Sequence, residues 1–158
     1  MLTPDDLEIY CHVHQLEATV LHLSVPTPTV TAAAEVVGCP AEQIVKSILF
    51  MVDQEPVMVI TCGTARVDRR VIASYYGLSK KRVHLASAEQ VAEFTGYAVG
   101  GLPPFGHLQL FPTLIDRRVL VQTTVYAGGG SETALLRLEP NQLTSVVPAV
   151  VLDLVESG

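Results

Sequence analysis

Apolar residues come in short runs broken by glycine, proline and acidic residues, a spacing that predicts many short strands and helices. Thr3-Pro4-Asp5-Asp6 opens a helix to about His14, with a hydroxyl cap, proline at the first position and acids in the first turn. Ala18–Leu23 reads as a strand ended by Pro26-Thr27-Pro28. Val30–Val37 has helical spacing and stops at Gly38, a C-terminal cap. A turn over Pro40–Gln43 leads into a strand, Val45–Val52; Gln54-Glu55 turns the chain back into Pro56–Cys62, making a hairpin. Helices follow at Asp68–Tyr76, closing at Gly77, and from the capping signature Ser87-Ala88-Glu89-Gln90 to Phe94. Thr113–Asp116, Val119–Val125, Ala134–Leu138 and Val150–Val155 are further strands, the last two flanking a short helix around Pro140–Val146. Strands and helices do not alternate regularly, so the expected fold is α/β (α+β), a mixed, curved or barrel-like sheet flanked by short helices.

Composition narrows the class. At 158 residues, 49% of them hydrophobic, the chain reads as a single domain over 1–158 with its own core. The acidic start, Met1–Asp6, is not a signal peptide, and no apolar run reaches the roughly 18 residues of a membrane span. Cys11, Cys39 and Cys62 form no Cys-x-x-Cys pair and read as reduced thiols, which points to the cytoplasm. A net charge of −6 argues against broad non-specific nucleic-acid binding. The charge is uneven, though. Arg66, Arg69, Arg70, Lys80, Lys81 and Arg82 supply six of the ten basic residues, opposed locally only by Asp68. That segment is either a solvated surface or a local dock for an anionic partner.

The candidate chemistry lies in two glycine loops and one lysine. Thr95–His107 carries Gly96, Gly100, Gly101 and Gly106 with Pro103 and Pro104, and Ala127-Gly128-Gly129-Gly130-Ser131 follows later. Loops of this kind can present backbone groups to a ligand at close range. Lys46 sits in the apolar run Ile44–Phe50, sharing a strand face with Ile44, Ile48 and Phe50, opposite Val45, Ser47 and Leu49. It is either a cation aimed at a phosphate or carbonyl oxygen, or a lysine snorkelling from the strand's edge. Other chemistries lack their motifs: there is no Gly-x-Ser-x-Gly elbow and no Gly-x-x-x-x-Gly-Lys-Ser/Thr loop, and no helix-forming run follows Gly96–Gly101. Cys11 and His14 could share a helix face, but no second ligand pair accompanies them, so neither a metal nor another cofactor is expected.

Three stretches taken in order, Thr29–Cys39, Gln43–Phe50 and Thr95–His107, resemble the YbaK family of aminoacyl-tRNA deacylases, related to the editing domain of bacterial prolyl-tRNA synthetases. Asp116 after an apolar strand, Val125–Gly130 and Leu136-x-Leu138-x-Pro140 agree, so the similarity covers roughly residues 17–155. The resemblance implies a barrel-like sheet with flanking helices and a free-standing trans-editing hydrolase that cleaves the ester between a wrong amino acid and the 3′ end of tRNA. By position, Lys46 matches the family's functional lysine, Gly100 with Pro104 its Gly-x-x-x-Pro loop, and Gly128, Gly129 and Gly130 its second glycine loop. Pro103 stands where some relatives carry a small polar residue, which leaves the substrate's amino acid open.

An aminoacyl ester is already activated, so a positioned water and donors for the developing oxyanion suffice. Gly100 and Gly101, with Gly128–Gly130, are the expected donors, and Lys46 the group that holds the terminal phosphate or the ester oxygen. No general base stands out; His107 and His22 are the candidates. The expected partners are the 3′ acceptor end of aminoacyl-tRNA and an aminoacyl-tRNA synthetase. Two readings compete with the hydrolase: a binding module of the same fold that recognises such ligands without turnover, and a hydrolase of small-metabolite esters or amides. Which amino acid and tRNA are read, and the oligomeric state, stay open.

Overall fold

The structure, a computed structural model, describes residues 1–156. Helix α1 (Pro4–Val13) carries the expected cap, a reciprocal box between Thr3 and Asp6. It is followed by β1 (Ala18–His22) and α2 (Val30–Val37), which is capped by Thr29 at its start and by Gly38 at φ 79° at its end. The hairpin is β2 (Val45–Val52) and β3 (Glu55–Cys62). Its turn falls one residue earlier than the sequence suggests. Asp53 and Gln54 both take positive φ, the geometry of a tight two-residue turn, and Glu55 pairs with Val52. Then come α3 (Arg69–Tyr76), β4 (Val83–Leu85), α4 (Ala88–Thr95) and β5 (Thr113–Asp116). The chain ends with α5 (Arg117–Leu120), β6 (Val125–Gly128), β7 (Ala134–Leu138), α6 (Pro140–Val146) and β8 (Ala149–Leu152).

The expected strand Val119–Val125 is a helical turn followed by a later strand. The Asp116 carboxylate accepts from the Arg118 N–H and starts α5, and Val119 drops into the core. The last strand is also shorter than expected: beyond Leu152, Leu154 donates to Asp116 and only Val155 bridges back, to Val67.

The sheet is mixed, as predicted, but it does not close. A five-stranded sheet has the order β4-β2-β3-β5-β8, with β3, β5 and β8 parallel; a three-stranded antiparallel sheet has the order β1-β7-β6. One bridge, Ile44 to Tyr126, ties the two sheets together. The main core lies between them, with Val45, Leu49, Met58 and Ile60 from the larger sheet packing with Val125, Leu136 and Leu138 from the smaller. On the other face of the larger sheet Phe50, Val57 and Val59 pack under Ile72 and Ala73 of α3. β4 covers only Phe50–Val52, so the first half of β2 is an open edge beyond the Ile44–Tyr126 bridge. The candidate site grows from that edge.

Candidate active site

Where β2 and β6 part, a cleft of about 500 Å³ opens. Its walls are the first half of β2, the start of α2 with the loop before it, the Val99–Leu102 loop, Gly128 and the first residues of β7. The floor is apolar, with Ala33, Ile44 and Leu135 belonging to one small buried cluster. Among the described residues, Lys46 is the only charged one lining the cleft. It is half-buried, and among the described residues no carboxylate pairs with it. Its pKa is lowered from the ordinary lysine value, chiefly by burial; the Cys62 thiol works the other way and Arg118 adds to the lowering.

Polar groups collect around this cation. Ser47 lines the cleft, and its hydroxyl and that of Thr61, directly across the hairpin from Lys46, are both buried without a hydrogen-bond partner. The Leu49 carbonyl accepts from Ala86 on the side away from β3. Peptide groups two residues apart in a strand point the same way, so Ser47 turns its backbone toward the open edge. The helix α2 start also reaches the cleft. Thr29 takes the Ala32 N–H, leaving the Val30 and Thr31 N–H groups at the positive end of the helix.

The two glycine loops are laced together, and their roles differ. Gly130 N–H donates to the Gly101 carbonyl and Gly129 N–H to the Ala134 carbonyl, so these amides are committed to protein acceptors. A side chain on Gly128 would collide with the Leu102 carbonyl, and one on Gly129 with the Ala134–Leu135 peptide. Gly101 has the same constraint: a Cβ there would lie 2.5 Å from the Ser131 backbone. These glycines let backbones touch. Gly100 is different: it takes φ 102°, lines the cleft, and among the described residues no acceptor takes its N–H.

The structure therefore brings Lys46, Gly100, Gly101 and Gly128 to one cleft, with Gly129 and Gly130 behind it as supports. Pro104 and His107 lie in a separate small cavity with Tyr10 and Phe111. There His107 Nε2–H donates to the Pro103 carbonyl at 2.8 Å, and burial lowers the imidazole pKa, with the bond to Pro103 opposing. His22 is exposed at the end of β1, its Nε2 3.0 Å from Glu8 of α1, and does not line the cleft. Among the described residues no histidine, cysteine or carboxylate lines the cleft, so neither candidate base is placed at Lys46. Ser47, Thr29 and the start of α2 escaped the sequence reading. Ser47 alternates to the face opposite Lys46, and only the open strand edge lets both reach one space.

Among the described residues no three His, Cys, Asp or Glu side chains come together as a metal site. His14 instead stacks on Tyr10, and burial pushes the Cys11 thiol up to about 11.

A family model described as an aminoacyl-tRNA editing domain matches residues 24–146. The uncharacterized protein YwhH of Bacillus subtilis (strain 168) is 27% identical over 129 residues, 81% of this chain and 80% of that protein. The proline–tRNA ligase of Maridesulfovibrio salexigens is 34% identical over 100 residues, which is 63% of this chain but only 17% of the ligase. A solved structure described as "Crystal structure of a putative trans-editing enzyme for prolyl tRNA synthetase" superimposes with a TM-score of 0.86 at 31% identity, over 99% of this chain and 100% of that one.

Proposed function

Because the chain belongs to the aminoacyl-tRNA editing domain family, we propose that it is a free-standing deacylase that hydrolyses the ester between a wrongly attached amino acid and the 3′ end of tRNA. The observation that carries the reading is the unpaired Lys46 in an apolar cleft beside the free Gly100 N–H. Water adds to the ester carbonyl carbon, the bond to the ribose oxygen breaks, and that oxygen leaves with a proton. The Gly100 N–H stabilises the oxyanion that forms, a donor fixed in place before the reaction begins. Lys46 holds the terminal phosphate or the ester oxygen. The apolar floor takes the amino-acid side chain, and cleft size discriminates among side chains by about 1–3 kcal/mol per methylene.

With no histidine, cysteine or carboxylate lining the cleft among the described residues, the attacking water is oriented by backbone groups or by the substrate's own α-amine or ribose hydroxyl. The same lack of a base favours the second reading, a module of this fold that binds aminoacyl-tRNA without turnover. The protein acts in the cytoplasm alongside the synthetase that makes the error.

The deciding experiment is a panel of misacylated tRNAs, with ester loss measured with and without protein. Acceleration by the wild type on at least one member, abolished in Lys46→Ala, is the expected result. Tight binding with spontaneous rates throughout would establish the binding module instead.

A further inference from the structure

Lys46 and Ile48 line two spaces at once. Beyond the cleft they also border a groove of about 390 Å³ whose other walls include Arg66, Arg69, Arg70 and Lys80. Five cations thus meet around one groove on a chain of net charge −6, against Asp68 and Glu156. Arg70 is tied to Asp68, but among the described residues Arg66, Arg69, Lys80 and Lys46 make no ion pair. The rest of the basic segment is not part of this arrangement: Lys81 does not line the groove, and Arg82 turns to Asp53 at 2.9 Å. The floor holds Ile48 and Leu85, and Leu85 is half exposed, an apolar surface against which a base can lie.

We propose that this groove carries the single-stranded 3′ end of the tRNA, the nucleotides before the esterified one, by their phosphates. The inference rests on the deacylase reading for the identity of the strand. Lys80, Arg69 and Arg66 border the groove and Lys46 borders both groove and cleft, so a polyanion held in the groove can pass its last residue into the cleft beside Lys46. The positive charge is local and faces one groove, so it binds a backbone without reading sequence. It also accounts for how an acidic protein holds RNA: the neutralised phosphates are few and all lie beside the cleft.

The test compares wild type with the triple variant Arg66→Ala/Arg69→Ala/Lys80→Ala and a charge-matched triple outside the groove, Lys81→Ala/Arg82→Ala/Arg137→Ala. Two readouts are used: kcat/KM on aminoacyl-tRNA and on 3′-aminoacyl-adenosine, and affinity for an uncharged RNA ending in an unpaired 3′ strand, as a function of salt. The groove variant should lower the ratio of tRNA to adenosine kcat/KM at least tenfold. It should also flatten the salt dependence of RNA affinity by about one phosphate contact per removed cation. The outer triple should do neither. Equal salt slopes for the two triples overturn the groove. The binding arm stands without turnover, so a protein that hydrolyses nothing yet loses RNA affinity only in the groove variant fails the deacylase reading and keeps the groove.

Discussion

At the scale of single residues, Lys46 is the sharpest case. Its face on β2 was legible from alternation, since a cation aligned with Ile48 and Phe50 must end at a boundary of the core. What alternation does not reveal is the missing partner, because ion pairing depends on which carboxylates the fold brings near. Lys46→Met should therefore lower deacylation roughly 10²–10³-fold, the cost of one charge-stabilising donor. Its effect on stability has the opposite sign. The folded-state pKa lies below that of the unfolded chain, so between the two values the unfolded chain binds more protons and wild-type stability rises with pH. The methionine variant lacks this term. Thermal unfolding at neutral pH should show it at least as stable as wild type, with the difference shrinking toward alkaline pH. A neutral-pH melting point several degrees below wild type would mean that the lysine is structural.

Elements show which sequence signals carry over and which do not. Caps were readable in part: the Thr3 hydroxyl, Ser87 with Gln90, and the glycines after α2 and α3 all stand where the residue types placed them, whereas the Thr29 cap of α2 was not read. The error at Val119–Val125 came from treating a β-branched run as a strand when a buried aspartate just before it starts a helix. Asp116 joins three partners across the fold: the Arg118 N–H and guanidinium, and the Leu154 N–H. Asp116→Ala strands a buried N–H and frees an arginine, and should cost about 3–5 kcal/mol in chemical denaturation; a loss near zero would show that these contacts do not matter. The second glycine loop also changes meaning. The sequence suggests ligand donors, but pairing commits Gly129 and Gly130 to the protein. Gly129→Val should accordingly reduce thermal stability, whereas Gly100→Ala, strained at φ 102° with its Cβ 3.0 Å from the Glu132 carboxylate, should lose activity out of proportion to a modest fall in melting point. Assays of both variants beside their melting curves separate the two roles, and the reverse pattern would assign Gly129 to the site.

The whole molecule raises the question of how two sheets behave as one body. A barrel-like sheet was legible because strands outnumber helices and no βα repeat appears, but closure depends on strand pairing between residues far apart in sequence, which alternation does not report. Among the described residues the sheets pair through a single bridge, Ile44 to Tyr126, so backbone pairing alone would let them part. The core argues otherwise. Leu136 of β7 is fully buried and belongs to the same cluster as Leu49 of β2, Ile60 of β3 and Ile115 of β5. The sheets are therefore coupled by apolar packing, which is non-directional and adds to the backbone bridge at the edge of the cleft. Leu136→Ala should remove about 2–5 kcal/mol. If the packing makes one cooperative unit, hydrogen exchange of the slowest amides should accelerate equally in β3 and in β7. Measuring the amides of Ile60 and Leu138 in wild type and variant decides it. Acceleration at Leu138 with Ile60 unmoved would show two sheets that open separately, and the cleft between them would then be a hinge rather than a fixed site.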